Sequence, residues 1–281
     1  MRNALTIDVE DYYHVSAFEK VIPIENWEQY ESRVEKNTDR VLAMLDDMHV
    51  KATFFILGWV AQRHPQLVRR IVSAQHEVAC HGYTHRRIHM LTPEEFRHEI
   101  RQAKGVIEDA GGVPVLGYRA PSYSVTTRTL WALNILAEEG FKYDSSIFPV
   151  RHDLYGIPGY ERFAHVLYGQ GTQPIVELPL STVRMLGINI PVAGGGYLRL
   201  LPYALTHLGI RRINHKEQQP AIIYFHPWEI DPEQPRIQAG WKSRFRHYTN
   251  LSRMEAKLRK LLSSFAFAPI REVYAGYLAN I

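Results

Sequence analysis

Residues 81–85 read HGYTH and set His81 and His85 four apart, a spacing at which two imidazoles can share one metal ion. With 14 histidines in 281 residues, chance alone supplies about 0.7 such pairs, and His85 with His89 repeats the spacing. The surroundings distinguish the two pairs. Asp8, Glu10 and Asp11 follow the apolar run ALTIDV, Arg119 ends VLGYR, Asp144 ends FKYD and His226 ends AIIYFH, while His81 and His85 directly follow EVAC. His89 lies farther along its loop, toward Thr92. Two imidazoles and one carboxylate leave open positions on a divalent ion, as a catalytic rather than a structural metal requires. The carboxylate is Glu10 or Asp11. Strand alternation puts Asp8 and Glu10 on one face, whereas an early strand end would turn Asp11 inward.

Positioning these residues falls to short apolar runs at 4–9, 52–57, 77–80, 115–119, 141–144, 175–180 and 221–226, which read as buried strands. Amphipathic patterns lie between most of them. Val41, Leu42, Leu45 and Met48 form one stripe near 38–48, and Pro65 opens a helix bearing Leu67, Val68, Ile71 and Val72. Thr92, Pro93 and Glu95 form a capping box for a helix that stops at Gly111 and Gly112, and Thr126 or Thr127 caps the next, which runs to Gly140. Strands alternating with helices predict an α/β fold, an irregular (β/α)7 barrel one unit short of eight. Its chemistry belongs at the carboxyl ends of the strands, where every candidate above falls. The expected organisation is one domain over 1–281, with an irregular insertion around 146–220 and a C-terminal helical extension over 241–281.

Composition narrows the classes. Hydrophobic residues make up 46% and charged residues 22%, as in an ordinary globular protein rather than a disordered chain. The net charge of +4 is spread out except for a basic cluster over 236–246, read as a solvated face, so nucleic acid is not an expected partner. Cys80 is the only cysteine, which excludes an intramolecular disulfide and suits a small buried hydrophobe. The N-terminal MRNALTIDVEDYY lacks the apolar run of a secretory signal, and no stretch of 18 apolar residues occurs. A cytoplasmic protein without stable membrane insertion is the expectation. Trp59, Tyr123 and Trp228 read as packing rather than as sugar platforms.

The succession of Asp8, EVACHGYTH, GYRAPSYS, FKYDSS and IYFHPWE resembles the NodB-like polysaccharide deacetylases of carbohydrate esterase family 4 over roughly residues 4–228. The tail and the GGGYLRLLP segment resemble the subgroup associated with exosortase-type exopolysaccharide loci. The resemblance implies roles. Asp8 is the base, His81 and His85 hold a divalent metal for which zinc is the expected ion, and Arg119 pairs with the base. His226 is the acid, Asp144 positions it, and a backbone N–H just after Pro121 joins the metal around the oxyanion. The implied partner is a polysaccharide or oligosaccharide carrying N-acetyl groups. Amide hydrolysis needs an activated water, a place for the oxyanion and a proton for nitrogen, and this set can supply all three. Two departures stand out: DVED replaces the family's adjacent aspartates, and Ser122 separates Pro121 from Tyr123. The rival expectations are hydrolysis of a small cyclic amide, as in allantoinases and imidases, and a non-catalytic glycan-binding protein.

Overall fold

Strand β1 (Arg2–Val9) buries every side chain after Arg2, as a strand covered on both faces must. The structure is a computed structural model that describes residues 1–152, 155–169, 173–192 and 194–281. Around β1 lie β2 (Thr53–Ile56), β3 (Glu77–Cys80), β4 (Gly117–Tyr118), β5 (Tyr143–Asp144), β6 (His165–Leu167) and β7 (Ile175–Glu177). They are followed by the hairpin β8 (Thr182–Met185) and β9 (Ile188–Pro191), then β10 (Ile222–Phe225) and β11 (Ala266–Ala268). The order β10-β1-β2-β3-β4-β5-β7 is parallel throughout, with β6 antiparallel on the far edge and β11 beside the start of β1. All seven predicted strands occur, as a mixed sheet curled into a half-barrel and packed with helices.

Those helices are α1 (Val34–Asp47), α2 (Gly58–Arg63), α3 (Pro65–Ser73), α4 (Pro93–Gly111), α5 (Trp131–Glu138), α6 (Gly196–Leu200), α7 (Tyr203–His215), α8 (Trp241–Tyr248) and α9 (Leu251–Ser264), before two short terminal turns. The expected capping box at Thr92 and Glu95 is formed, and Gly112 ends α4 at φ +66°. The helix expected from Thr126 or Thr127 starts later, at Trp131, because the Thr129 hydroxyl takes the Thr126 N–H and bonds the Ser124 carbonyl, holding a turn there instead.

Alternation divides the core. Ala4, Phe55, Ala79, Tyr143, Val176, Leu178, Ile222 and Tyr224 fill the inside of the curl, with Ile270 and Tyr274 packed into the same cluster, while a larger cluster lies between sheet and helices. No direct pairing joins β7 to β10. The gap is crossed by the Ser181 hydroxyl, which accepts the Ile222 N–H at 2.7 Å, and by the Gly195 N–H, which donates to the Tyr224 carbonyl at 2.9 Å. Gly194 has φ +138°, and a Cβ there would overlap the Tyr224 carbonyl, so only glycine lets this segment close the wall. Residues 146–220, expected as an irregular insertion, thus carry two sheet strands, a hairpin and the wall-closing segment. The extension over 241–281, expected to be helical, adds β11 as well.

Candidate active site

Strand parity decides which polar side chains enter the curl. Asp8, His81, Arg119 and His226 share the phase of the inward residues Ala4, Ala79, Gly117 and Tyr224, so four strand ends converge on one buried spot. Arg119 is fully buried, its guanidinium stacked over Phe55 at 4.1 Å. It donates to Asp8 Oδ1 and to Thr6 Oγ1, each at 2.7 Å, and to the Ser145 carbonyl at 3.1 Å. A buried carboxylate thereby meets a fixed planar cation, and the Tyr123 hydroxyl donates to its other oxygen at 3.3 Å.

Strand β1 ends at Val9, and the Glu10 N–H turns back to the Asp8 carbonyl at 3.1 Å. The Glu10 side chain still reaches the centre. Its carboxylate lies 3.8 Å from His81 Nε2, 3.5 Å from His85 Nε2 and 3.1 Å from His226 Nε2. Its Oε2 is buried with no hydrogen-bond partner among the described residues. Ligand atoms of Glu10, His81 and His85 fall within 4.8 Å of one another, and the distances to the two histidines are too long for hydrogen bonds. Such spacing, around an orphaned carboxylate oxygen, fits a cation among the three. His81 Nδ1 faces the Arg119 carbonyl at 2.8 Å and so carries the proton, leaving Nε2 free to ligate. Burial pushes His85 down to about 4, which keeps its imidazole neutral. For Glu10 burial acts upward, but the facing His85 and His226 outweigh it and hold the carboxyl well below its usual range.

The HGYTH loop is held from below by α4, where Glu99 Oε1 accepts the N–H groups of Tyr83 and Thr84 at 3.3 and 3.1 Å. His85 adopts φ +56°, a left-handed conformation that turns its ring inward, whereas His89 is exposed on the following turn. Asp11 takes no part. Its Oδ2 accepts the N–H groups of Arg33 and Val34 at 2.7 and 3.0 Å and the Ser32 hydroxyl at 3.0 Å, which caps the start of α1, and Oδ1 takes the Tyr12 N–H at 3.0 Å. Burial pushes its carboxyl up to about 6 despite these donors.

Asp144 is also outside the group. In β5 it is Tyr143 that points inward, so Asp144 faces out and binds its own turn: the Ser146 hydroxyl at 2.5 Å and the Ser146 N–H at 3.1 Å. The carboxylate on His226 is instead Glu229, whose Oε2 lies 3.1 Å from Nδ1 and 2.9 Å from the His226 backbone N. Glu229 Oε1 accepts Arg199 Nε at 2.5 Å, with both side chains buried. Burial alone would lower His226, yet Glu10 and Glu229 together outweigh it and raise the imidazole to about 10. Glu229 was within reach of sequence reasoning, since His-x-x-Glu is the spacing of a capped turn, and that turn is formed here. Arg199 carried no signal of its own, because its approach depends on the Gly194–Gly195 wall. Tyr123, read as packing, also bonds Asp8. It and Ser122 adopt φ of +54° and +52°, so the turn after Pro121 is strained where the oxyanion donor was expected.

Residues 26–143 match the family model described as polysaccharide deacetylase, and residues 145–275 match a domain of unknown function, DUF3473. Over residues 26–143 the chain is thus similar to polysaccharide deacetylases, and over 145–275 to proteins carrying DUF3473. The two matches meet at the end of β5, although the sheet runs on across that point. A peptidoglycan deacetylase-like protein of Gibberella zeae is 29% identical over 154 residues, 50% of this chain and 45% of that protein. The peptidoglycan deacetylase of Helicobacter pylori is 30% identical over 113 residues, 40% of this chain and 38% of the relative. The chain thus spans less than half the length of these curated relatives. Among solved structures, a candidate polysaccharide deacetylase from Mycobacterium smegmatis superposes with TM-score 0.64 at 20% identity, covering 99% of this chain and 90% of that one. A pseudoenzyme of carbohydrate esterase family 4 from Bacillus anthracis gives 0.51 at 18% identity over 97% and 64%. These likenesses establish the fold.

Proposed function

We propose that the protein is a divalent-metal-dependent N-deacetylase acting on an amino-sugar polysaccharide or its precursor. The observation that carries this reading is the convergence of Asp8, Glu10, His81, His85, Arg119 and His226 from four strand ends into one buried pocket. Glu10, His81 and His85 would hold the cation, for which zinc suits the donor set, and it would supply Lewis acidity toward the amide carbonyl and toward water. Asp8, paired with Arg119 through Oδ1, takes the proton of the attacking water at Oδ2. The turn after Pro121 offers a backbone N–H to the developing oxyanion. His226 delivers a proton from Nε2 to the departing amine, and Glu229, anchored by Arg199, holds the other ring nitrogen so that Nε2 faces the pocket. Asp144 in this scheme braces the turn behind Ala120, whose N–H the Ser146 hydroxyl accepts at 2.7 Å.

The relatives named above and the resemblance of GGGYLRLLP to exopolysaccharide-associated members support a glycan substrate over a small cyclic amide. Acetate release from N-acetylglucosamine oligomers, with and without chelator, tests the reading. Activity that survives complete metal removal refutes it, as does preferential turnover of cyclic ureides. The likeness to a pseudoenzyme leaves a non-catalytic glycan binder as the rival, and an inert metal-loaded protein that still binds glycan would favour it.

A further inference from the structure

The basic cluster over 236–246, expected as a solvated face, also carries exposed aromatic rings. Elsewhere Arg40, Arg70, Arg97 and Arg259 pair with carboxylates, whereas single cations such as Arg128 and Arg211 form no salt bridge among the described residues but are not clustered. Among the described residues, Arg236, Lys242, Arg244 and Arg246 form no salt bridge, and the sequence has no acidic residue from 234 to 254. The same helix, α8, lies on the protein through buried His247 and turns two large aromatics outward, Trp241 at 74% exposure and Phe245 at 56%. Four residues apart, these rings share one helix face, flanked by the unpaired cations. Arg236 stacks on Tyr248 at 4.3 Å beside them.

We propose that this face of α8 docks on the interfacial region of a membrane bearing anionic lipids. Charge complementarity selects the anionic surface, and the outward rings select a bilayer over a soluble polyanion. A polyanion would satisfy the cations but leave Trp241 and Phe245 in water, whereas the headgroup–acyl boundary buries both. No helix among the described residues is long and apolar enough to span a membrane, so the contact is peripheral. Its place in the fold gives it a consequence. The Arg199 guanidinium that anchors Glu229 also donates to the carbonyls of Arg246, His247 and Thr249 at 2.8, 3.0 and 2.9 Å. Trp228 stacks on both His247 and His226, at 4.1 and 5.1 Å. Docking through α8 would therefore bear on the element that, through Arg199 and Trp228, contacts Glu229 and His226.

The test measures binding without turnover, so it stands or falls apart from the proposed reaction. The full chain is sedimented with phosphatidylcholine vesicles with or without phosphatidylglycerol, and tryptophan emission is followed. Binding to the anionic vesicles with a blue shift that disappears in Trp241→Phe is expected, since Trp27, Trp59 and Trp228 are already buried and Trp131 packs partly buried against the core on α5, away from α8. Each basic side chain near such a surface contributes roughly a fivefold factor, so Lys242→Glu with Arg244→Glu weakens binding by at least about 25-fold at low salt. Trp241→Ala with Phe245→Ala also weakens it, and both double variants keep the wild-type melting temperature. Failure of the wild type to bind anionic vesicles overturns the proposal. So does binding to a soluble anionic glycan such as alginate that ignores the aromatic pair and exceeds binding to vesicles.

Discussion

Glu229→Gln isolates the part of the account that rests most on geometry, because it keeps the side chain's shape and removes its charge. The wild-type carboxylate faces donors on both sides: Arg199 Nε at 2.5 Å, and His226 Nδ1 and backbone N at 3.1 and 2.9 Å. An amide must turn its NH2 toward one of them. Hydrogen bonds to charged groups are worth about 1.5–3 kcal/mol, and ~1.4 kcal/mol corresponds to tenfold in rate, so kcat falls about 10- to 150-fold with KM little changed. The pH profile carries the sign. His226 acts in its protonated form, and Glu229 helps raise it to about 10, so losing that charge lowers its pKa and brings the alkaline loss of kcat in at lower pH. Arg199 keeps three backbone carbonyls in the variant, which should therefore stay folded. Steady-state kinetics across pH, with thermal melting as control, make the measurement. Unchanged kcat and an unmoved alkaline limb in a folded Glu229→Gln enzyme would refute the positioning role.

Asp144→Asn provides the contrast: it should lower the melting temperature by disturbing the Ser146 turn, yet leave the alkaline limb where it is. A shift of that limb would restore Asp144 to His226. Glu10→Gln should abolish stoichiometric metal binding in calorimetric titration. Asp11→Ala should bind metal normally while losing about 0.5–2 kcal/mol of stability with the cap on α1, and the reverse pattern would transfer the ligand role to Asp11. Gly194→Ala forces a Cβ onto the Tyr224 carbonyl and should cost about 1–3 kcal/mol in denaturant titrations, with kcat reduced because Tyr224 lies under His226. A fully stable, fully active Gly194→Ala protein would show that the wall does not need that close approach.

The strands and the convergence of Asp8, His81, Arg119 and His226 were legible in the sequence because both rest on local signals: apolar runs mark buried strands, and polar residues at their carboxyl ends must share one rim. Choosing Glu10 over Asp11 needed the turn after Val9, where one hydrogen bond decides which carboxylate swings inward. Asp144 illustrates how a role carried by motif order can miss strand phase. Tyr143 occupies the inward position above Gly117, which sends its neighbour to the other face. Arg199 lay beyond local reading, since it meets Glu229 only after a glycine-dependent wall has closed against β10. Likewise the outward rings of α8 resemble any amphipathic pattern until His247 shows which face is buried.

The most direct test of the account is an anomalous-difference map from crystals of the metal-loaded protein, measured at the absorption edge of the bound metal. The account predicts one strong peak at about 2.0–2.2 Å from a Glu10 carboxylate oxygen and from Nε2 of His81 and His85. A peak held by other residues, or none in this pocket despite stoichiometric loading, would contradict it.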